Sequence, residues 1–198
     1  MIQRVFILTL FFALFFLSCS GEEDVRVLKL GHGLDTNHSV HKAMVFMAEE
    51  VQKQSEGKMR IDIYPNQQLG SERELLEIGS VDITKVSSSV IEGFEPLYKV
   101  LGVPFLFAND EHKFSEFFGE IGRELLDAGR DIRLVGLTFY DAGTRSFYTK
   151  DRPILHPDDL QGMKIRVQES PASIRMVNLL GGSATPISWG ELYTALQQ

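Results

Sequence analysis

A strand and a helix are predicted by Gly162-Met163-Lys164-Ile165-Arg166-Val167 and by the Ser170-Pro171 step that follows. Within the first stretch, Lys164–Val167 is expected to be a short strand. Ser170 is a typical N-cap, and proline is well suited to the first position of a helix. We expect that helix to continue to Leu180. This part of the chain therefore predicts a strand that leads directly into a helix.

Strands alternate with helices outward from this segment. The other predicted strands are Val25–Leu30, Met59–Tyr64, Val81–Val86 and Ile132–Tyr140, with a further extended stretch at Ser146–Thr149. The other predicted helices are Ser39–Ser55, Ser71–Ile78, Asp110–Ala128 and one that begins with the capping box Ser188-Trp189-Gly190-Glu191. Such alternation is typical of an α/β fold with a mostly parallel sheet.

The composition is that of a folded protein with an excess of acidic residues. Of its 198 residues, 43% are apolar, and 20 Lys+Arg against 27 Asp+Glu give a net charge of -7. Nucleic-acid-binding proteins usually carry a basic face, so we expect no nucleic-acid partner. A single cysteine excludes a disulfide framework. The histidines His32, His38 and His41 have no spacing that defines a metal site, and no metal is predicted.

Residues 1–19 are predicted to be a signal peptide. Arg4 precedes the apolar run Val5–Leu17, which is shorter than the roughly 20 residues that a membrane span needs. Cys19 follows in Phe16-Leu17-Ser18-Cys19, which is similar to a bacterial lipoprotein cleavage site. We expect export to the periplasm, a lipid anchor on Cys19 and a tether over residues 20–26. Ordinary cleavage near Ser20, with loss of Cys19, is the alternative.

Motifs for catalysis or cofactor binding are absent from the sequence. It contains no Gly-x-Gly-x-x-Gly, no Gly-x-x-x-x-Gly-Lys-Ser/Thr, no His-Glu-x-x-His and no Gly-x-Ser-x-Gly. Gly31-His32-Gly33 comes nearest and lacks the third glycine. We therefore predict a protein that is not an enzyme and uses no cofactor.

Two arginines are candidates for binding an anion. Arg166 lies in a strand that should be buried, where an unpaired charge is costly. Its planar guanidinium suits a carboxylate, and open α/β sheets bind ligands beyond the carboxyl ends of their strands. An ion pair with an acidic residue of the same chain is the alternative. Arg145 follows a Gly-Thr turn and is either a second ligand contact or a solvated surface residue.

Hydroxyl and aromatic groups supply weaker candidates. Ser87, Ser88 and Ser89 follow a predicted strand and either offer hydroxyls to a polar ligand or form a plain turn. Trp189 stands at a predicted helix start, where it either covers a ligand or packs in a core.

Several stretches of the chain resemble one family from about Leu28 to the last residue. They are Pro65-Asn66-Gln67-Gln68-Leu69-Gly70, Val103-Pro104-Phe105, Gly143-Thr144-Arg145, Asp159–Val167, Thr185-Pro186 and Glu191–Gln197. Together they are similar to the DctP-type solute-binding subunits of tripartite ATP-independent periplasmic (TRAP) transporters. The resemblance implies a two-lobed periplasmic-binding-protein-like α/β fold, with a first lobe over residues 27–142 and an incomplete second lobe over residues 143–198.

The resemblance also implies a function and roles for individual residues. Members capture a small organic acid, a sugar acid or a C4-dicarboxylate, and deliver it to a membrane permease driven by a sodium gradient. Arg166 matches the arginine that binds the carboxylate, and Arg145 matches a second arginine near the ligand. Trp189 matches an aromatic residue that packs on the solute, while Ser87 and His32 match positions near the cleft.

Two departures from the family pattern affect these expectations. The helix Ser71–Ile78 is roughly one turn shorter than in members, and members continue well beyond Gln198, so we expect this chain to be an N-terminal fragment. A sensory solute-binding protein that serves a membrane receptor, an exported hydrolase and a fragment that binds nothing are the alternatives. The serines after the third strand favour a hydroxylated sugar acid as the ligand.

Overall fold

The computed structural model describes residues 24–198. The predicted signal peptide with Cys19, and the predicted tether up to residue 23, lie outside the described residues. Within residues 24–198, no helix combines the length and apolar character that crossing a membrane requires. The described elements form an α/β fold with two parallel sheets, which confirms the predicted fold class.

The first sheet holds strands β1 (Arg26–Gly31), β2 (Met59–Tyr64) and β3 (Ile83–Thr84) in the order β2-β1-β3, all parallel. Helix α1 (Ser39–Gln54) connects β1 to β2. Apolar residues of the strands and of α1 meet in one core, consisting of Leu30, Leu34, Val40, Met44 and Ile61. The apolar alternation in β2 and the helical spacing in α1 therefore predict these elements correctly.

Helix α2 (Glu72–Ile78) begins with the predicted capping box. The Ser71 hydroxyl accepts a hydrogen bond from the Glu74 backbone N–H at 3.3 Å, and the Glu74 carboxylate accepts one from Ser71 N–H at 2.8 Å. The helix ends at Gly79, whose φ of 62° lies in the left-handed region that glycine adopts freely.

Strand β3 is shorter than the predicted Val81–Val86. The Asp82 carboxylate accepts a hydrogen bond from the Lys29 backbone N–H at 2.8 Å, while Asp82 N–H donates to the Lys29 carbonyl at 3.0 Å. A side chain thus takes the place of a backbone carbonyl in the ladder, and regular pairing begins only at Ile83.

The chain between the two sheets is mainly helical. It contains α3 (Ser88–Ile91), a 3₁₀ helix (Pro96–Gly102), α4 (Asp110–Phe117), α5 (Glu120–Asp127) and a second 3₁₀ helix (Ala128–Ile132). The predicted helix over Asp110–Ala128 begins where expected, with Asn109 as its N-cap. It is not continuous, because it is interrupted at Gly119, where a Cβ would lie 2.7 Å from the Ser115 carbonyl oxygen.

The predicted strand Ile132–Tyr140 is not formed. Backbone N–H groups of Leu134 and Gly136 donate to the carbonyls of Gly129 and Leu126, at 2.9 and 2.8 Å, instead of to a neighbouring strand. Ser146–Thr149 also belongs to no sheet within residues 24–198. An apolar segment becomes a strand only where another strand pairs with it, and the described chain provides none here.

The second sheet consists of β4 (Lys164–Val167) and β5 (Ser183–Pro186), which are parallel and joined by α6 (Pro171–Leu179). A third 3₁₀ helix (Pro157–Leu160) precedes β4. The Ser170 hydroxyl accepts a hydrogen bond from Ser173 N–H at 2.9 Å, so the predicted N-cap of α6 is confirmed.

The last helix of the chain is α7 (Leu192–Gln197). Its predicted capping box is not formed, because Glu191 is the N-cap and no side chain caps the helix. The Ser188 hydroxyl instead donates to the Glu191 carboxylate at 2.9 Å.

Candidate functional site

Arg166 lies near the carboxyl end of β4, with its guanidinium partly buried. Its Nε and Nη2 both donate to the backbone carbonyl of Ile187, at 3.0 and 2.7 Å, which fixes the plane of the guanidinium. Burial lowers the pKa of Arg166, and the nearby Arg145 lowers it further. Within the described residues Arg166 forms no salt bridge, so the predicted alternative of an internal ion pair is not observed. Its Nη1 group forms no hydrogen bond within residues 24–198.

Arg145 brings a second positive charge to the same region. Its Nη1 donates to the buried hydroxyl of Ser89 at the start of α3. Burial of the guanidinium lowers the pKa of Arg145, while Glu72 and Glu92 act in the opposite direction. Like charges close together in a partly buried region repel each other, and an anion placed between them relieves that repulsion.

Ser87 forms hydrogen bonds both to α2 and to the residue that follows β4. Its backbone N–H donates to the Glu72 carboxylate at 2.9 Å, and its hydroxyl accepts a hydrogen bond from Gln168 Nε2 at 3.0 Å. The structure therefore brings Ser87 beside the end of β4. Gln168 was not among the residues predicted from the sequence, although it lies only two residues after Arg166.

Two buried carboxylates, neither of which was predicted from the sequence, support this region. Glu72 accepts a hydrogen bond from Lys85 Nζ at 2.8 Å, in an ion pair whose side chains are 9% and 16% exposed. Glu92, which is 2% exposed, accepts hydrogen bonds through Oε1 from the Ser170 hydroxyl at 2.6 Å and from Ala172 N–H at 2.8 Å. Glu92 thus connects the segment after α3 to the N-terminus of α6.

His32, which follows β1, is buried, at 1% exposure. Both of its ring nitrogens form hydrogen bonds. Nδ1 accepts a hydrogen bond from Leu34 N–H at 3.1 Å, and Nε2 lies 3.0 Å from His41 Nδ1. Burial, assisted by His41 and Lys85, lowers the pKa of His32 to about 4. The ring is therefore neutral at pH 7, and its Nε2 proton is donated to His41. Contact of His32 with a ligand remains a prediction.

Trp189 lies just before α7 and is 47% exposed, so it is not a core residue. The neighbouring Gly190 lies against Gln67 of the loop after β2, where a Cβ would collide with the Gln67 side-chain oxygen. Arg166 contacts the same segment through Ile187. Trp189 thus stands on the loop that approaches both sheets, and its contact with a solute remains a prediction.

Metal binding has no support in the geometry of residues 24–198. They contain no group of three or more His, Cys, Asp or Glu side chains arranged to hold a metal ion. His38, one of the three clustered histidines, accepts a hydrogen bond from Val40 N–H at 3.1 Å as the N-cap of α1.

The chain is similar to proteins that bind organic acids. A TRAP periplasmic solute-binding protein from Anaerococcus prevotii, with bound D-glucuronate, is 38% identical, with a TM-score of 0.82 over 87% of this chain and 57% of that one. One from Sulfurospirillum deleyianum, with bound succinate, is 28% identical, with a TM-score of 0.81 over 87% and 57%. Protein YiiZ of Salmonella typhimurium is 36% identical over 176 residues.

The YiiZ alignment covers 87% of this chain and 54% of YiiZ, so the chain spans about half the length of that relative. A family profile matches residues 30–198, which include Ser87, Arg145, Arg166 and Trp189. The chain belongs to the bacterial extracellular solute-binding proteins, family 7 (DctP).

Proposed function

We propose that this protein is an extracytoplasmic receptor that captures a small carboxylated organic acid, a sugar acid or a C4-dicarboxylate, for a TRAP-type membrane permease. One observation carries the proposal: Arg166 presents a partly buried guanidinium that has no ion-pair partner within the described residues. Ile187 already holds one edge of that guanidinium, so its orientation is set before a ligand arrives. A preorganised guanidinium is the group best suited to bind a carboxylate.

The surrounding charges support an anionic ligand. Arg145 lies close enough to lower the pKa of Arg166, while Glu72 acts in the opposite direction. A carboxylate bound at Arg166 gains from both arginines in a region where burial strengthens electrostatic interactions. The bound D-glucuronate and succinate of the two similar structures belong to the same chemical class.

Receptor function follows from what the site offers chemically. Two neighbouring guanidinium groups and the Ser87–Gln168 hydrogen bond supply polar groups that bind and orient an anion. Export through the signal peptide, a lipid anchor at Cys19 and the permease partner are parts of the same proposal. A sensory receptor that presents its ligand to a membrane protein for signalling uses the same site and is the second candidate.

Removal of the Arg166 side chain tests the proposal. We expect Arg166→Ala to weaken binding of D-glucuronate or succinate by about 100-fold or more, because a bound carboxylate loses a buried, charge-assisted partner. Isothermal titration calorimetry of the purified chain measures the affinity. Arg130→Ala is the matched control, since Arg130 is an exposed residue paired with Asp127 at 2.6 Å. Unchanged affinity in Arg166→Ala, or a wild-type chain that binds neither acid, would contradict the proposal.

A further inference from the structure

Gln168 stands beside Arg166 with one end of its amide unused. Its Nε2 donates to the Ser87 hydroxyl at 3.0 Å. Its Oε1 is buried and has no hydrogen-bond partner within residues 24–198. A buried amide oxygen without a partner is unfavourable, because it gives up its bonds to water for nothing in return.

Several polar groups near Gln168 form hydrogen bonds with other partners. Arg166 donates through Nε and Nη2 to the Ile187 carbonyl, and Arg145 donates through Nη1 to the Ser89 hydroxyl. The Ser87 backbone N–H is bonded to Glu72. None of these hydrogen bonds includes Gln168 Oε1, so a hydroxyl donor from a bound ligand would complete its hydrogen bonding.

From this geometry we infer that Gln168 determines ligand specificity by binding a hydroxyl group of the acid held at Arg166. The inference rests on the proposed function and narrows it to hydroxylated acids, such as sugar acids, in preference to unsubstituted dicarboxylates. Gln168 follows directly on β4, two residues after Arg166, so a carboxylate at Arg166 places the adjacent carbon atoms of the ligand near Gln168.

A hydroxyl group fits the unused end of this amide whichever way the amide is turned. It donates to the oxygen in one orientation and accepts from the nitrogen in the other. The methylene groups of succinate do neither, and binding succinate leaves the amide unsatisfied. Sites built to hydrogen-bond a hydroxyl discriminate strongly against analogues that lack it, because the polar group of the protein stays unpaired.

The test compares D-glucuronate with succinate on the full chain. Gln168→Met keeps the length of the side chain and removes the amide. We expect its affinity for D-glucuronate to fall by about tenfold to a hundredfold, and its affinity for succinate to change by less than about threefold. Gln52→Met is the matched control, on an exposed position of α1. Calorimetry on one sample of each variant gives both affinities, and their ratio is independent of the folded fraction.

The outcomes separate this inference from the proposed function. An unchanged D-glucuronate affinity in Gln168→Met, an equal loss for both acids, or a wild-type preference for succinate overturns the role of Gln168 and leaves the receptor function standing. A wild-type chain that binds neither acid overturns both. Gln168→Ala, measured in the same way, provides the ratio if Gln168→Met does not fold.

Discussion

Arg145 and Arg166 place two positive charges in one partly buried region, and each bonds to a neutral oxygen instead of a carboxylate. The Ser89 hydroxyl and the Ile187 carbonyl are those partners. Burial lowers the pKa of Arg166, and repulsion from Arg145 lowers it further. A side chain that destabilises its neighbour in the free protein and stabilises a bound anion is typical of a binding residue.

Arg145→Gln separates these two effects. We expect affinity for D-glucuronate to fall by about tenfold, because one of the two charges facing the carboxylate is removed. The melting temperature of the ligand-free protein should stay within about 2 °C of wild type, since loss of the Ser89 bond is offset by reduced repulsion. Calorimetry and a thermal melt measure the two quantities. A melting temperature that falls while affinity holds would assign Arg145 a structural role.

Arg166, Arg145 and Ser87 could be singled out as candidates because each stands at a recognisable turn or strand end, and the family resemblance suggested their roles. Their mutual placement could not be predicted, since it depends on contacts between distant parts of the chain. Glu92 and Gln168 find their partners 78 and 81 positions away. Of these two residues, only Gln168 could have been suspected from the sequence, because it is a polar residue two positions after Arg166.

Among the elements, prediction succeeded mainly where local chemistry decides the structure and failed where neighbours decide it, with the capping box of α7 as the exception. The capping box of α2 and the N-cap of α6 involve residues three positions apart, and both are present. The segment Ile132–Tyr140 has the composition of a strand, but no strand of the described chain pairs with it. Gly119 interrupts an apolar periodicity that continues from α4 into α5, so periodicity alone could not reveal the break.

The N-terminus of α6 depends on a carboxylate from another element. Glu92→Ala removes the acceptor of Ser170 and Ala172 and leaves a cavity, so we expect the free energy of unfolding to fall by about 2–4 kcal/mol. Urea denaturation followed by circular dichroism measures it. Glu77→Ala is the control, because Glu77 forms an exposed i,i+4 pair with Arg73 and should change stability little. Equal effects of the two substitutions would contradict this role for Glu92.

The stability of the whole molecule should respond to acid through His32. Its pKa of about 4 in the folded protein lies below the ordinary value of 6.5, so the unfolded chain takes up this proton more readily. The His32 contribution to the free energy of unfolding is present above pH 6.5 and is lost as pH falls towards 4, by on the order of 2–3 kcal/mol.

His32→Asn tests this pH dependence, because asparagine keeps an acceptor for Leu34 N–H and does not titrate. We expect the difference in unfolding free energy between pH 7.5 and pH 4.5 to be smaller in His32→Asn than in wild type. Urea denaturation at the two pH values provides the comparison. His112→Asn, at an exposed position, should retain the wild-type pH dependence. A wild-type dependence in His32→Asn would show that other groups carry the acid sensitivity.

The hydrogen bonds between the two sheets also set an order of assembly. The pairs β1–β2 and β4–β5 each close around one connecting helix, whereas Gln168 must reach Ser87 across 81 positions and Glu92 must reach Ser170 across 78. Closing a longer loop costs more entropy, and contacts distant in sequence form late in folding. A newly made chain should therefore complete both sheets while it still lacks affinity for an acid, and acquire that affinity in its final folding step.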